Sequence, residues 1–343
     1  MIMDIENINK IINNLHENEF DAMVLAEIEN INYISDYHPT SFGIAILKED
    51  SIVFAGAMDL ELANKTSLIE VKEFKSLKQI TDLFEKENFK KIAIEETLPF
   101  NLYSKLKGNY EFHLTNVLDN FRMIKSREEL LKIEKATNIA HNSFKQLAIR
   151  DKIEKGFSEW EVSYELGYLM RENGAQEESF ETIVATGANS SLPHSRVSQK
   201  QLEFPTLIDW GCKYQDYCSD STRTIIKTEK QEEIFNIVFE AYNKSIKAIK
   251  PGIKACEIDK IARDIIFEYG YGDKFIHSTG HSLGLNIHEK PTISKKDETI
   301  LEKDMVITIE PGIYLEGNFG VRIEDSIHIK NKANVLGSLK PII

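Results

Sequence analysis

Three of the nine histidines of this chain fall within one short segment, as His277, His281 and His288. Gly280 and Gly284 lie between them, and glycine allows a ligand or another backbone to approach closely. Imidazole groups bind metal ions, donate hydrogen bonds and transfer protons near neutral pH. The segment is therefore the first candidate for chemistry, and we expect the rest of the chain to bring carboxylates to it.

Two aspartates are candidates for that role. Asp209 lies in the apolar run 207–211, and Asp220 follows it after the polar segment 213–217. Two antiparallel strands joined by such a loop would place both acids side by side. A buried carboxylate needs a compensating partner, because an unpaired buried charge costs several kcal/mol. A single strand aspartate is more often structural, but a pair on one hairpin favours a metal site.

Two glutamates follow the histidines in a similar arrangement. Glu310 ends the apolar run 305–310 and precedes Pro311-Gly312, whereas Glu324 lies at a comparable place in the run 321–329. Carboxylate oxygens with one imidazole suit manganese, iron, cobalt or zinc better than a thiolate site would. Carboxylates that bridge two metal ions about 3.5–4 Å apart can activate a shared water.

The elements that must position these residues have clear signals in the second part of the chain. Ser126 with Glu129, and Ser158 with Glu161, are capping boxes that predict helix starts. Strand groups before and after two long helices indicate an α+β organisation. Trp210 and Trp160 are predicted to be core residues. The predicted helices are 158–173, 229–249 and 255–269, and the predicted strands are 181–185, 205–211, 219–227, 305–310 and 321–329.

The first part of the chain predicts a smaller α/β layer, with a boundary that gives domains 1–122 and 123–343. Residues 47–52 are typical of a hairpin connection. None of the histidines in this part suggests chemistry, so we expect a specificity or assembly domain. The predicted helices are 4–18, 58–66 and 76–87, and the predicted strands are 22–25, 44–47, 52–55, 68–74 and 91–94.

Composition excludes several classes of protein. The 343 residues are 42% hydrophobic and 28% charged, with a net charge of −13, as expected of a folded globular protein. No basic stripe suggests binding to nucleic acid or to an anionic membrane surface. No apolar run has the roughly 18 residues that a membrane span needs. The first residues lack a signal peptide pattern, so a cytoplasmic location is expected.

Taken together, the motifs resemble those of the pita-bread metallopeptidases, which include aminopeptidase P, proline dipeptidase and, more distantly, methionine aminopeptidase. The resemblance covers about residues 127–343, with a looser match of the first domain to the creatinase-type N-terminal domain. It implies an α/β N-terminal domain followed by an α+β pita-bread catalytic domain. The matching segments are Asp209-Trp210-Gly211, Asp220–Thr224, His277–Glu289, Glu310–Tyr314 and Arg322–Asp325.

The resemblance also implies roles for individual residues. The metal ligands would be Asp209, Asp220, His281, Glu310 and Glu324, with Asp220 and Glu324 bridging two ions. Glu310 would also transfer protons. His277, His288 and His194, the last on a loop at 187–195, would be further active-site residues. Arg322 would contact a ligand carboxylate, and Tyr314 is favoured as a packing residue with a polar role near the metals left open.

The function implied by the resemblance is that of a dinuclear-metal exopeptidase that cleaves an Xaa-Pro bond at a free N-terminus. The implied cofactors are two divalent ions, manganese ahead of cobalt, zinc or iron, and the implied partners are small peptides and a second copy of the chain. Dipeptides and longer peptides are both left open as substrates. The alternatives are an aminopeptidase of the same fold without proline preference, a creatinase-like amidinohydrolase, and a non-catalytic relative.

Overall fold

A computed structural model describes residues 5–340 of the chain. Contacts divide it into two compact units between Arg122 and Met123. The predicted helix at 4–18 is present as Ile5–Glu17, and its predicted first residue, Asp4, lies outside the described residues. Among the helices within residues 5–340, none combines the length and the apolar composition that crossing a membrane would require.

The first unit contains a six-stranded mixed sheet in the order β4-β3-β2-β1-β5-β6. Its strands are β1 Ala22–Leu25, β2 Gly43–Leu47, β3 Ile52–Ala55, β4 Glu70–Glu73, β5 Lys91–Ile94 and β6 Glu111–Leu114. Its helices are α1 Ile5–Glu17, α2 Ile28–Ser35, α3 Leu60–Thr66, α4 Lys78–Lys86, α5 Phe100–Leu106 and α6 Val117–Met123. The predicted hairpin is confirmed, because β2 and β3 pair antiparallel.

Helix α2 shows why some elements of this unit escaped the sequence prediction. Most of its residues are buried, including the polar Asn30 and Asn32, so it has no polar face to produce helical periodicity. The side chain of Asn30 donates to Glu95, at 2.8 Å, and accepts from Arg122, at 2.6 Å. These distant partners stabilise a helix that its own sequence pattern does not reveal.

The second unit is built on a larger antiparallel sheet, in the order β14-β13-β15-β18-β12-β9-β8, with β19 pairing with β18. Its helices are α7 Arg127–Leu147, α8 Ile149–Glu154, α9 Glu159–Glu172, α10 Glu229–Ala248 and α11 Ala255–Glu268, with 3₁₀ turns at Gly187–Ser191 and Gly272–Lys274. Its strands are β7 Glu177–Glu178, β8 Ile183–Thr186, β9 Thr206–Trp210, β10 Cys212–Tyr214, β11 Tyr217–Cys218, β12 Ser221–Ile225, β13 Gly280–Ser282, β14 Glu289–Ile293, β15 Val306–Ile309, β16 Gly312–Leu315, β17 Phe319–Arg322, β18 Glu324–Ile329 and β19 Ala333–Val335.

The two faces of this sheet differ in character because side chains alternate along each strand. Ile208 and Trp210 of β9 belong to a core formed with α7 and α9. Ile327 of β18 belongs to a second core, formed with α10 and α11. Asp209 and Glu324 occupy the alternate positions of the same two strands and therefore lie on the opposite face, where the candidate site forms.

The predicted helix starts are confirmed, whereas one of the two tryptophans was assigned wrongly. Ser126 and Ser158 both form complete capping boxes, with Glu129 and Glu161 respectively. Trp210 is fully buried and stacks on a phenylalanine of α7. Trp160 is 49% exposed, because it lies on the outer face of α9, where its ring stacks on Tyr164.

Candidate metal centre

Three neighbouring strands place their acidic residues in one row. Thr222 of β12 lies opposite Asp209 of β9 on one side and opposite Glu324 of β18 on the other. Asp220 precedes Thr222 by two positions, so its side chain lies on the same face of the sheet. The hairpin that the sequence predicted for the two aspartates is confirmed, with the short strands β10 and β11 within its connection.

Glu310 extends this row by one strand. Ile309, the last residue of β15, pairs with Asp325 of β18. Antiparallel pairing then places Glu310 next to Glu324, at the point where β15 ends. The Pro311-Gly312 turn follows directly, and Glu310 remains mostly buried, with 16% of its side chain exposed.

His281 belongs to β13, the strand next to β15, and lies beside these carboxylates on the same face of the sheet. Its Nε2 atom lies 3.6 Å from an oxygen of Asp220 and 3.6 Å from an oxygen of Glu310. Its Nδ1 atom lies 3.0 Å from the carbonyl oxygen of Ser282, an acceptor that requires the proton to be on Nδ1. The lone pair of Nε2 therefore points at the carboxylates, and all five residues predicted to bind metal lie in one place.

Burial and mutual repulsion control the charges of this cluster. Burial, together with the negative charges of Glu324 and Asp209, raises the pKa of Asp220. Burial and the charge of Glu310 raise the pKa of Glu324 in the same way. Burial raises the pKa of Glu310 to about 8 and lowers the pKa of His281 to about 4. Such a group of acids with a neutral imidazole is stabilised by added positive charge.

The hydrogen bonds of the cluster leave acceptor atoms unused. Among the described residues, Asp209 Oδ1 and Asp220 Oδ1 are two of three buried side-chain atoms without a hydrogen-bond partner. Buried polar atoms are rarely left unsatisfied in folded proteins. Asp220, His281 and Glu324 each offer a ligand atom, and these atoms lie within 4.8 Å of one another. The donor set fits divalent cations that prefer oxygen with some nitrogen.

A chain of hydrogen bonds orients Asp209 from outside the row. Arg322 Nη2 donates to Asp209 Oδ2 at 2.6 Å, and Arg322 Nη1 donates to the hydroxyl of Tyr314 at 2.7 Å. That hydroxyl lies 2.9 Å from His277 Nε2, while His277 Nδ1 lies 2.7 Å from the carbonyl oxygen of Ser278. Tyr314 therefore donates to His277. It is buried, but its hydroxyl makes polar contacts that simple packing would not require.

The two remaining predicted histidines also lie around the cluster. The ring of His288 is 4.4 Å from that of His281, centroid to centroid, and burial lowers the pKa of His288. His194 is exposed on its loop. The carbonyl oxygen of the preceding Pro193 lies 3.4 Å from Arg322 Nη1. The guanidinium group that binds Asp209 therefore also contacts the residue next to His194.

Comparisons with known proteins agree with this geometry. Residues 131–331 match metallopeptidase family M24, and residues 7–124 match the creatinase/prolidase N-terminal domain. The chain belongs to metallopeptidase family M24. Its relatives include an Xaa-Pro dipeptidase of Pyrococcus horikoshii, 43% identical over 339 residues, which cover 95% of each chain.

Solved structures of M24 relatives extend the likeness to the whole fold. A prolidase from Pyrococcus horikoshii OT3 superposes with a TM-score of 0.91 at 41% identity, covering 98% of this chain and 99% of the other. An X-Pro aminopeptidase from Thermotoga maritima gives 0.88 at 32% identity, covering 98% of each. The predicted fold class, an α/β N-terminal domain with an α+β pita-bread domain, is confirmed.

A buried ion pair that the sequence did not reveal contacts the segment that carries His281 and His288. Lys125 Nζ lies 3.0 Å from Glu289 Oε2 and 3.2 Å from the hydroxyl of Ser282. Only 1% of the lysine side chain and 7% of the glutamate side chain are exposed. Ser282 directly follows His281, and Glu289 directly follows His288, so one ammonium group contacts the neighbours of both histidines.

We expect Lys125→Met to lower kcat/KM by about 10- to 100-fold, the usual effect of removing a group that orients metal ligands. The reason is that Glu289 would lose its cation and the segment between the two histidines would shift. Steady-state kinetics with a proline dipeptide measures the effect. Lys244→Met, which breaks an exposed pair with Glu240, is the control, and an equal loss of activity in both variants would contradict the role given to Lys125.

Proposed function

We propose that this protein is a metallo-exopeptidase that hydrolyses the Xaa-Pro bond of dipeptides with a free N-terminus. The observation that carries the proposal is the convergence of four carboxylates and one imidazole on one face of the sheet, where two carboxylate oxygens have no hydrogen-bond partner. The proline preference is supported by the names of its relatives, an Xaa-Pro dipeptidase and a prolidase.

The five predicted ligands are proposed to hold two divalent cations, with Asp220 and Glu324 shared between them. These two residues are nearly fully buried, at 5% and 1% exposure, and Asp220 lies within reach of His281. Cations held there would supply Lewis acidity, which makes water a better nucleophile and polarises the scissile carbonyl. Manganese is the preferred candidate, because the donor set is rich in oxygen.

The side chains around the cluster are proposed to move protons and bind the substrate. Glu310 would accept a proton from the attacking water and deliver it to the leaving proline nitrogen, as a general base and then a general acid. His288 and His194 would donate hydrogen bonds to the oxygen on which negative charge develops. Arg322, Tyr314 and His277 would hold Asp209 in its orientation throughout.

Hydrolysis of Ala-Pro in the presence of Mn²⁺ tests the proposal. We expect release of proline from Ala-Pro, much weaker cleavage of Ala-Ala, loss of activity after treatment with EDTA, and recovery when Mn²⁺ is added back. Metal content by elemental analysis reports the stoichiometry independently of turnover. A protein that binds Mn²⁺ but cleaves creatine and not peptides would instead be an amidinohydrolase, and one that binds no metal would be a non-catalytic relative.

Peptide length separates the two nearest activities. A dipeptidase cleaves Ala-Pro and not Ala-Pro-Ala, whereas an aminopeptidase, like the relative from Thermotoga maritima, would be expected to accept the longer peptide. We propose the dipeptidase, because the relative with 43% identity carries that name. Efficient cleavage of Ala-Pro-Ala would overturn this assignment while leaving the metallo-exopeptidase intact.

Further proposals concern the protein as a whole. We propose a division of labour between a creatinase-like domain, residues 1–122, and a catalytic domain, residues 123–343. We also propose that the protein forms a homodimer and acts in the cytoplasm on small peptides. Light scattering of the purified protein tests the dimer, and fractionation of cells tests the location.

A further inference from the structure

The loop that carries His194 is closed at its base by one buried carboxylate. Strand β8 ends at Thr186, and the chain returns to the same region at Ser198. Glu159, the first residue of α9, lies between these two points and is fully buried. Its backbone is also joined to the returning chain, since its N–H donates to the carbonyl oxygen of Lys200 at 3.0 Å.

Each oxygen of Glu159 binds one end of the loop. Oε1 accepts from the backbone N–H of Thr186 and from the side-chain amide of Asn189, both at 2.8 Å. Oε2 accepts from the backbone N–H of Ser198 at 3.0 Å and from its hydroxyl at 2.5 Å. All four donors are neutral, and a carboxylate is the side chain that offers two acceptor oxygens without a competing donor.

Capping of α9 does not account for this carboxylate. The N-terminus of the helix is capped by Ser158 and Glu161, which form a complete capping box. Glu161 Oε2 accepts from the backbone N–H of Ser158 at 2.8 Å. Residues on either side of Glu159 therefore cap the helix. The four hydrogen bonds of the Glu159 carboxylate all go to the loop instead.

The far end of the loop is tied to the metal centre. Ser190 accepts a hydrogen bond from the N–H of Gly320, in β17, at 2.9 Å, and Pro193 contacts Arg322 through its carbonyl oxygen. Between these contacts and the base, His194 is exposed. The position of its imidazole therefore depends both on these contacts and on how firmly Thr186 and Ser198 are held at the base of the loop.

We propose that Glu159 is a positioning residue that fixes the loop 187–197 and thereby presents His194 to the substrate. The link to catalysis rests on the proposed function, in which His194 binds the oxygen of the scissile bond. Closure of the loop by Glu159 stands on the hydrogen bonds alone. A shift of about 1 Å in a group that orients the substrate can cost 100-fold in rate, so loss of closure would be visible in turnover.

Glu159→Gln tests the closure with little change of shape. The amide keeps one acceptor oxygen but directs its NH₂ group at donors on one end of the loop. We expect hydrogen exchange of the amides in 186–198 to accelerate by about 10- to 100-fold, since the N–H groups at the ends of the loop lose their acceptor. The amides of β9 and β12 should stay protected. Glu161→Gln is the matched control, and it should affect only the first turn of α9.

A double-mutant cycle with His194→Ala tests the link to catalysis. We expect Glu159→Gln to lower kcat/KM for Ala-Pro by about 10- to 100-fold in the wild-type background. In the His194→Ala background it should change kcat/KM by less than about twofold, because both substitutions remove the same contribution. An equal loss in both backgrounds would overturn the link, since Glu159 would then act on something other than His194.

The outcomes separate the two proposals. If the wild-type protein does not hydrolyse Ala-Pro, the proposed function fails, and the exchange experiment still decides whether Glu159 closes the loop. Unchanged exchange in Glu159→Gln would overturn the closure even in an active enzyme. Should Glu159→Gln fail to fold, Asn189→Ala and Ser198→Ala each remove one donor, and each should accelerate exchange in the same segment by a smaller factor.

Discussion

Replacement of Glu324 by glutamine is expected to abolish metal loading and to lower turnover by about three orders of magnitude or more. Metal ions contribute several kcal/mol to transition-state stabilisation, and each 1.4 kcal/mol corresponds to about a tenfold change in rate. Glu324 is 1% exposed, and its Oε2 already accepts a hydrogen bond from Thr222 at 2.7 Å. An amide at this position carries no charge and cannot bridge two cations. Elemental analysis, calorimetric titration with Mn²⁺ and Ala-Pro kinetics measure the effect.

The same substitution separates a functional carboxylate from a structural one. Burial, together with the negative charges of Glu310 and Asp209, raises the pKa of Glu324. Replacing this carboxyl group by an amide removes a buried group that is costly to ionise, so the metal-free variant should be at least as stable as the metal-free wild type. Glu316→Gln, in the exposed turn between β16 and β17, is the control and should change neither property. Full metal loading of Glu324→Gln with turnover near that of wild type would exclude Glu324 as a bridging ligand.

The acids and the histidine of this site were predictable because each carries a local signal. Asp209 interrupts an apolar strand and Glu310 follows the end of another. A carboxylate buried in such a place is costly unless a partner compensates its charge. His281 lies among glycines and other histidines. Thr222 also had a signal, since it follows Asp220 by two positions in a strand and must share its face. Its hydrogen bond to Glu324, 102 positions away, had no such local signal, because it depends on the pairing of β12 with β18.

The supporting contacts were not predictable, because they join residues that are far apart along the chain. Lys125 and Glu289 are 164 positions apart, and each alone is typical of a solvated surface. Glu159 was visible only as one of two acids after a capping serine, and nothing local distinguishes its fully buried carboxylate from that of the mostly exposed Glu161. Sequence patterns indicate which residues are buried and whether they belong to a helix or a strand. The roles of Lys125 and Glu159 depend instead on which strands and loops meet in three dimensions.

Loss of Arg223 is expected to destabilise the second unit by about 3–5 kcal/mol, the usual effect of leaving a buried charge without its partner. Arg223→Met removes a guanidinium that is fully buried and lies 2.8 Å from Asp325 Oδ1. Tyr242 donates to the other oxygen of Asp325 at 2.5 Å and would be its main remaining partner. Both tryptophans, Trp160 and Trp210, lie in this unit, so urea unfolding followed by tryptophan fluorescence measures the change.

The size of that effect follows from how completely Arg223 is used. Besides Asp325, its N–H groups donate to four carbonyl oxygens, so all five donors have acceptors. These carbonyl oxygens belong to Thr222 of β12, to Glu324 of β18, and to Leu339 and Lys340 of the C-terminal segment. Arg223→Met/Asp325→Leu should be more stable than either single variant, because neither charge is then left alone. Breaking the exposed pair of Lys260 and Asp264 should cost less than about 1 kcal/mol. An equally small cost for Arg223→Met would show that the buried pair does not stabilise the sheet that carries the proposed metal ligands.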